Sequence, residues 1–153
     1  MLKIVFFGAG SGFGACSLVD ILSFPELRDS EIVLVDIHRS HLDPVARYAA
    51  KLVAHHGAPT QISTAETWRG GVLDGADFVM TSFAQGGPAY QGVPFHHEMA
   101  VPKRYGIHQG VGDTCGIGGV FRSMRTAPEL VAIGKDLEAR SPGATILNYV
   151  NPM

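Results

Sequence analysis

Only two cysteines occur in the 153 residues, and Cys16 and Cys115 lie far apart with no metal-motif spacing. No basic run appears anywhere and the formal net charge is −2, which argues against a nucleic-acid or anionic-membrane surface. No apolar stretch approaches the roughly 20 residues that a membrane span requires. No leader peptide is expected either, because Met1-Leu2-Lys3 runs straight into a strand-like segment. Internal repeats and low-complexity segments are also absent. A reduced, cytoplasmic protein is the simplest reading, with no nucleic-acid or membrane partner. What is present is apolar: 46% of the residues are hydrophobic, enough for one domain to bury a real core.

The most informative stretch is Ile-Val-Phe-Phe-Gly-Ala-Gly-Ser-Gly-Phe at residues 4–13. An apolar run stops abruptly at Gly8-Ala9-Gly10, and a helix-like segment follows. This is the pattern of a dinucleotide-binding βαβ unit. Gly8 suits a tight turn off the strand, and Gly10 lets the backbone approach a pyrophosphate. A helix beginning near Ser11 would aim its unpaired N–H groups and positive dipole end at the phosphates.

A bare GxG is weak evidence by itself, because ordinary turns contain it. A second signal supports it: Glu31 to Ile37 is another continuous apolar run and carries Asp36 at its end. Unbroken apolar runs suit parallel strands buried on both faces. An acid at the end of the second strand accepts hydrogen bonds from the adenosine ribose and repels a 2′-phosphate, so Asp36 favours NAD over NADP. Arg39, three residues on, weakens that preference slightly. The bland alternative is a solvated strand-end aspartate beside a helix cap.

Strand and helix alternate along the chain. Strands are expected near residues 3–7, 31–36, 61–64, 76–82 and 144–150. Helices are expected near 12–23, closed by Pro25, and near 40–56, with Ser40 as N-cap and Gly57 as stop. A weak helical turn is expected near 67–73, and a long helix over 118–140 ended by Pro142-Gly143. Residues 83–116 are rich in Gly, Pro and His, with helix expected over 94–105. The alternation predicts an α/β fold: a Rossmann-like, doubly wound parallel sheet in three αβα layers. All of residues 1–153 would form one NAD-binding domain. Because Asn151-Pro152-Met153 directly follows a strand-like run, the chain is expected to be the N-terminal part of a longer protein.

Three stretches together resemble one family. The first is Gly8 to Phe13, where the third position of the usual GxGxxG holds Phe13. The second is Gly-Asp-Thr-Cys-Gly-Ile-Gly-Gly-Val-Phe-Arg-Ser-Met-Arg-Thr at 112–126, and the third Leu-Asn-Tyr-Val-Asn-Pro-Met at 147–153. They resemble the NAD- and metal-dependent glycoside hydrolases of family four, most closely the α-galactosidase branch, with α-glucosidases and α-galacturonidases beside it. The resemblance implies cleavage of an α-glycoside by C3 oxidation, elimination and water addition, outside the two-carboxylate scheme. NAD would take and return the C3 hydride, and a divalent metal, usually manganese, would stabilise the enediolate.

By the same resemblance, Asp113 serves acid–base or substrate contact, with helix capping as its alternative role. Asn151 would bind a sugar hydroxyl or simply form a turn before proline. Asn148 is a second substrate candidate that could instead pair with backbone. The cofactor set is Gly8, Gly10, Ser11, Phe13, Asp36 and Ile37, joined by Ser82 and Phe83 because the fourth strand's end faces the same crevice. Arg122 and Arg125, three apart on one helix, would hold a carboxylate or pyrophosphate, or else lie on a salt-bridged face. The family's metal ligands, a Cys and a His, are expected beyond residue 153. Cys115 is not at the matching position, and His96-His97-Glu98 makes a poor metal cluster because adjacent side chains diverge. Residues 1–153 by themselves are expected to hydrolyse nothing, and the full-length protein to be a homo-oligomer. Two other readings compete: a lactate- or malate-type dehydrogenase, and a non-catalytic NAD-binding module.

Overall fold

The computed structural model describes residues 1–83, 93–109 and 116–150. Contacts divide the chain into two compact units, Met1–Phe83 with Asp136–Tyr149, and Ala84–Lys135 with Val150–Met153.

The first unit is built on β1 (Leu2–Phe7) and β2 (Ser30–Val35), the two apolar runs. They pair in parallel from Leu2↔Ser30 to Phe7↔Val35. Both are buried at their last four residues, as expected of strands covered on two faces. β3 (Gln61–Ala65), β4 (Phe78–Thr81) and β5 (Thr145–Asn148) complete a parallel sheet of order β3-β2-β1-β4-β5. The chain leaves β1 toward β2 on one side and returns on the other as β4. The switch point, where such folds bind ligands, therefore lies between β1 and β4. Helix α1 (Gly12–Ser23) sends Leu18 and Ile21 into a cluster with Phe6 and Leu34, where α2 (Arg39–His56) adds Leu42, Val45 and Ala49. Each fully buried large side chain there contributes about 1.5–3 kcal/mol of apolar transfer.

The expected doubly wound parallel sheet is present, with local corrections. Ser40 is not the N-cap of α2: the helix starts at Arg39, the cap position is His38, and no side chain caps it. Asp36 explains the shift, because its Oδ1 accepts from the His38 N–H at 2.9 Å and turns the chain before Ser40 is reached. Gly57 does end the helix, with φ +57°. Residues 67–73 contain no helix, since Gly70 and Gly71 have φ of +78° and +93°, outside any right-handed helix. The fourth and fifth strands are shorter than expected.

The second unit contains α3 (Val93–Arg104) and most of α4 (Ile117–Arg140), each within a residue of its expected start. Glu98 of α3, 6% exposed, forms ion pairs with Arg122, at 3.5 Å, and Arg125 of α4. Gln109 ties the same two elements: its amide donates to the Glu98 carbonyl and accepts from the Gly118 N–H, an otherwise orphan donor of α4's first turn. Among the described residues no helix is long and apolar enough to cross a membrane.

Candidate functional site

The ends of β1, β2 and β4 meet around the glycine loop of the first unit. Gly8 has φ +77°, and a Cβ there would lie 2.2 Å from the Ser82 carbonyl oxygen and 2.9 Å from the Phe83 nitrogen. Only glycine satisfies both the dihedral and the approach. Its N–H and that of Ala9 both donate to the Val35 carbonyl, at 2.9 and 3.1 Å, which folds the loop across β2. Ser82 in turn donates its N–H to the Phe7 carbonyl. Ser82 and Phe83 thus stand directly against the turn, as the strand order required.

Ser11 is the N-cap of α1. Its hydroxyl donates to the Gly8 carbonyl at 2.9 Å and accepts from the Gly14 N–H at 3.2 Å. The cap leaves the rest of the first turn's N–H groups at the mouth of the loop, the usual arrangement for an anion. Asp36 sits one residue past β2. Its Oδ2 accepts from the Gly10 N–H at 3.0 Å while Oδ1 holds His38. A Cβ on Gly10 would come within 2.8 Å of both Asp36 Oδ2 and His41 Cβ, so this glycine is what admits the carboxylate. Each carboxylate oxygen has a second acceptor position, so a ribose hydroxyl can still be bound.

Ile37 is 73% exposed beside Asp36. Phe13 packs edge-on to Phe6 at 6.2 Å and against Tyr149 at 5.0 Å, an aromatic wall one helical turn from the glycines. Asn148, at the end of β5, accepts from the Thr81 hydroxyl at 2.7 Å. This side-chain bond ties the end of β5 to the end of β4. Arg39 is paired with Asp43 at 2.8 Å and Glu66 at 3.6 Å, so two carboxylates offset its charge.

One participant went unrecognised in the sequence. Gly14 is buried in α1, and a Cβ there would lie 2.2 Å from the Ala9 carbonyl oxygen. The role usually given to the third glycine, close packing of helix on loop, falls to Gly14 one place beyond Phe13. The Gly-Phe-Gly run at 12–14 was the available signal.

In the second unit, the carboxylate that Arg122 and Arg125 hold is the chain's own Glu98. Arg122 also stacks on Phe95 at 4.7 Å. That engagement removes Glu98 from any metal set with His96 and His97, and no group of three metal-ligating side chains comes together among the described residues. Asp113, Cys115 and Asn151 lie outside the described residues.

A glycine turn at the switch point, a capped helix aimed at it and an acid closing β2 give this unit the architecture of a Rossmann-type domain. Residues 3–153 match the model of the family 4 glycosyl hydrolases, and the chain belongs to that family. It is 38% identical over 154 residues to an α-galactosidase of Rhizobium meliloti (strain 1021), covering 99% of this chain and 30% of that protein. A 6-phospho-β-glucosidase from Thermotoga maritima, solved with manganese, NAD+ and glucose-6-phosphate, shares the fold with a TM-score of 0.80 at 24% identity, over 99% of this chain and 35% of that one. A malate dehydrogenase from Salinibacter ruber matches at TM-score 0.61 and 14% identity, over 99% of this chain and 37% of that one, a likeness of fold alone. The chain spans about a third of the length of these relatives.

Proposed function

We propose that this chain is the NAD-binding part of a glycoside hydrolase that cleaves α-glycosidic bonds, α-galactosidase-like in its preference. The observation that carries the reading is the cradle at Gly8, Gly10 and Asp36, whose closest approaches a single added Cβ would block. When bound, NAD would supply reversible hydride removal at the sugar's C3, leaving a ketone that acidifies the C2 proton, and a divalent metal, manganese by family analogy, would supply Lewis-acid stabilisation of the negative charge left when a base takes that proton.

The chain's own residues do the rest of the binding. Gly8 and Gly10 let the backbone approach the pyrophosphate, and the α1 N-terminus capped by Ser11 offers it N–H donors. Asp36 accepts from the adenosine ribose, with Ile37 covering the adenine side. Its charge repels a 2′-phosphate, and Arg39 does not offset this because Asp43 and Glu66 already engage it. Phe13, Ser82 and Phe83 border the dinucleotide at the switch point. Asp113 acts on the leaving group or the sugar, and Asn151 and Asn148 contact sugar hydroxyls, as the family motifs imply. The metal's Cys and His ligands belong to a continuation of the polypeptide, which works in the cytoplasm as a homo-oligomer.

The test uses a polypeptide extending this chain to the length of its relatives, supplied with NAD and manganese. It is given p-nitrophenyl α-galactoside, α-glucoside and α-galacturonide in D₂O. Glycoside cleavage with deuterium at C2 of the product is expected, fastest on the galactoside. Protium retained at C2 rejects the elimination route. Net NADH release from a hydroxy acid would favour a dehydrogenase, and NAD binding without turnover a non-catalytic module.

A further inference from the structure

The strand order β3-β2-β1-β4-β5 gives the nucleotide crevice two sides. Asp36, the ribose acceptor, lies just past β2, on one side of β1. A dinucleotide that crosses the loop at Gly8 and Gly10 therefore carries its other end, the nicotinamide, toward β4 and β5. Two aromatic rings stand on that side. Phe13 belongs to the first turn of α1, directly after the loop. Tyr149 follows β5, and its N–H donates to the Thr81 carbonyl at the end of β4, at 2.8 Å. The ring centroids are 5.0 Å apart with planes inclined at 46°, and buried Phe6 supports Phe13 edge-on at 6.2 Å. Phe13 is 41% and Tyr149 53% exposed, so each ring leaves much of its surface open.

We propose, resting on the NAD-binding reading, that this aromatic pair receives the nicotinamide ring and holds it more tightly oxidised than reduced. Oxidised nicotinamide is a pyridinium cation, and the reduced ring, having gained a hydride, is neutral. The N-terminus of α1, which attracts the pyrophosphate, repels a positive ring brought near it. The first turn of α1 carries no acidic residue to offset that repulsion. The negative faces of Phe13 and Tyr149 supply the compensation instead, because an aromatic face attracts a cation within about 6 Å. The neutral reduced ring gains only ordinary packing from the same surface. A catalyst that removes a hydride first and returns it later must begin each turnover oxidised, and a bed that prefers the cation favours that state. Phe13, in place of the usual third glycine, thus has a task of its own, while Gly14 provides the close packing.

The test is calorimetric titration of the 153-residue chain, without glycoside or metal, using NAD+, NADH and ADP-ribose, which lacks the nicotinamide. The wild type is expected to bind NAD+ more tightly than NADH. Tyr149→Leu and Phe13→Leu keep apolar bulk but remove a ring face. Each should lower the NADH-to-NAD+ ratio of dissociation constants about two- to fivefold, the range of a partly exposed cation–π contact. Tyr149→Phe should retain the wild-type ratio, since the ring face acts and not the hydroxyl. ADP-ribose reports the rest of the site, and Tyr149→Leu should bind it as the wild type does. If both leucine variants keep the wild-type ratio, or Tyr149→Phe loses it as leucine does, the proposal is overturned while the cofactor reading stands. If none of the three ligands binds, the cofactor reading falls and the proposal with it.

Discussion

At the scale of single residues, the nucleotide site turns on side chains that are absent as much as on those present. Asp36 reaches the loop only because Gly10 has no Cβ. Asp36→Ala should raise the NAD dissociation constant at least about tenfold, roughly 1.4 kcal/mol of lost contact, as read by calorimetric titration. An unchanged constant would mean the ribose is held elsewhere. Gly14→Ala sets two effects in opposition. Helix propensity favours alanine by ~1 kcal/mol, but a Cβ 2.2 Å from a backbone oxygen forces a shift costing about 1–3 kcal/mol or more. Net destabilisation and weaker NAD binding are expected. A rise in melting temperature would refute the packing role. Gly8, Gly10 and Asp36 were legible in the sequence because strand, turn and acid recur at fixed offsets. Gly14 was missed because the usual spacing drew attention to Phe13, whose ring instead packs on Phe6 and Tyr149.

At the scale of elements, the agreement follows the strength of the local signal. α1 begins and ends where Ser11 and Pro25 indicated. α2 starts early because the hydrogen bond that the His38 N–H donates to the Asp36 carboxylate, two positions back, outweighed the favourable capping chemistry of Ser40. The helical pairing of α3 and α4 was not legible: its organising residue, Glu98, sits among histidines that suggested metal, and its partners lie 24 and 27 positions away. Removing that carboxylate leaves a buried guanidinium environment built for it. Glu98→Ala should cost about 3–5 kcal/mol, seen as a lower melting midpoint. A loss under 1 kcal/mol would reduce the cluster to a surface ion pair. α2 carries a pH signature at its far end. Desolvation first, then Arg28 and His55, lower the pKa of His56 below 6.5. The unfolded chain therefore takes up the proton first, and stability falls as pH drops below 6.5. His56→Gln should flatten that part of the profile, and an unaltered slope would assign it to other groups.

For the molecule as a whole, fold class was readable from alternation, because parallel strands buried on both faces must be apolar throughout and must be joined by helices. Strand order and the switch point between β1 and β4 came from the structure, since no sequence period encodes which strand neighbours which. Every pair in the sheet is parallel, so each must wait for an intervening crossover. β5 lies more than sixty residues after β4, its one partner among the described residues, and all four of its residues are exposed. During synthesis at about 5–20 residues per second, β4 therefore emerges with one flank unpaired for several seconds before β5 arrives. In that interval the free flank of β4 is an open hydrogen-bonding ladder, which Thr145–Asn148 then covers, becoming the edge strand in its place.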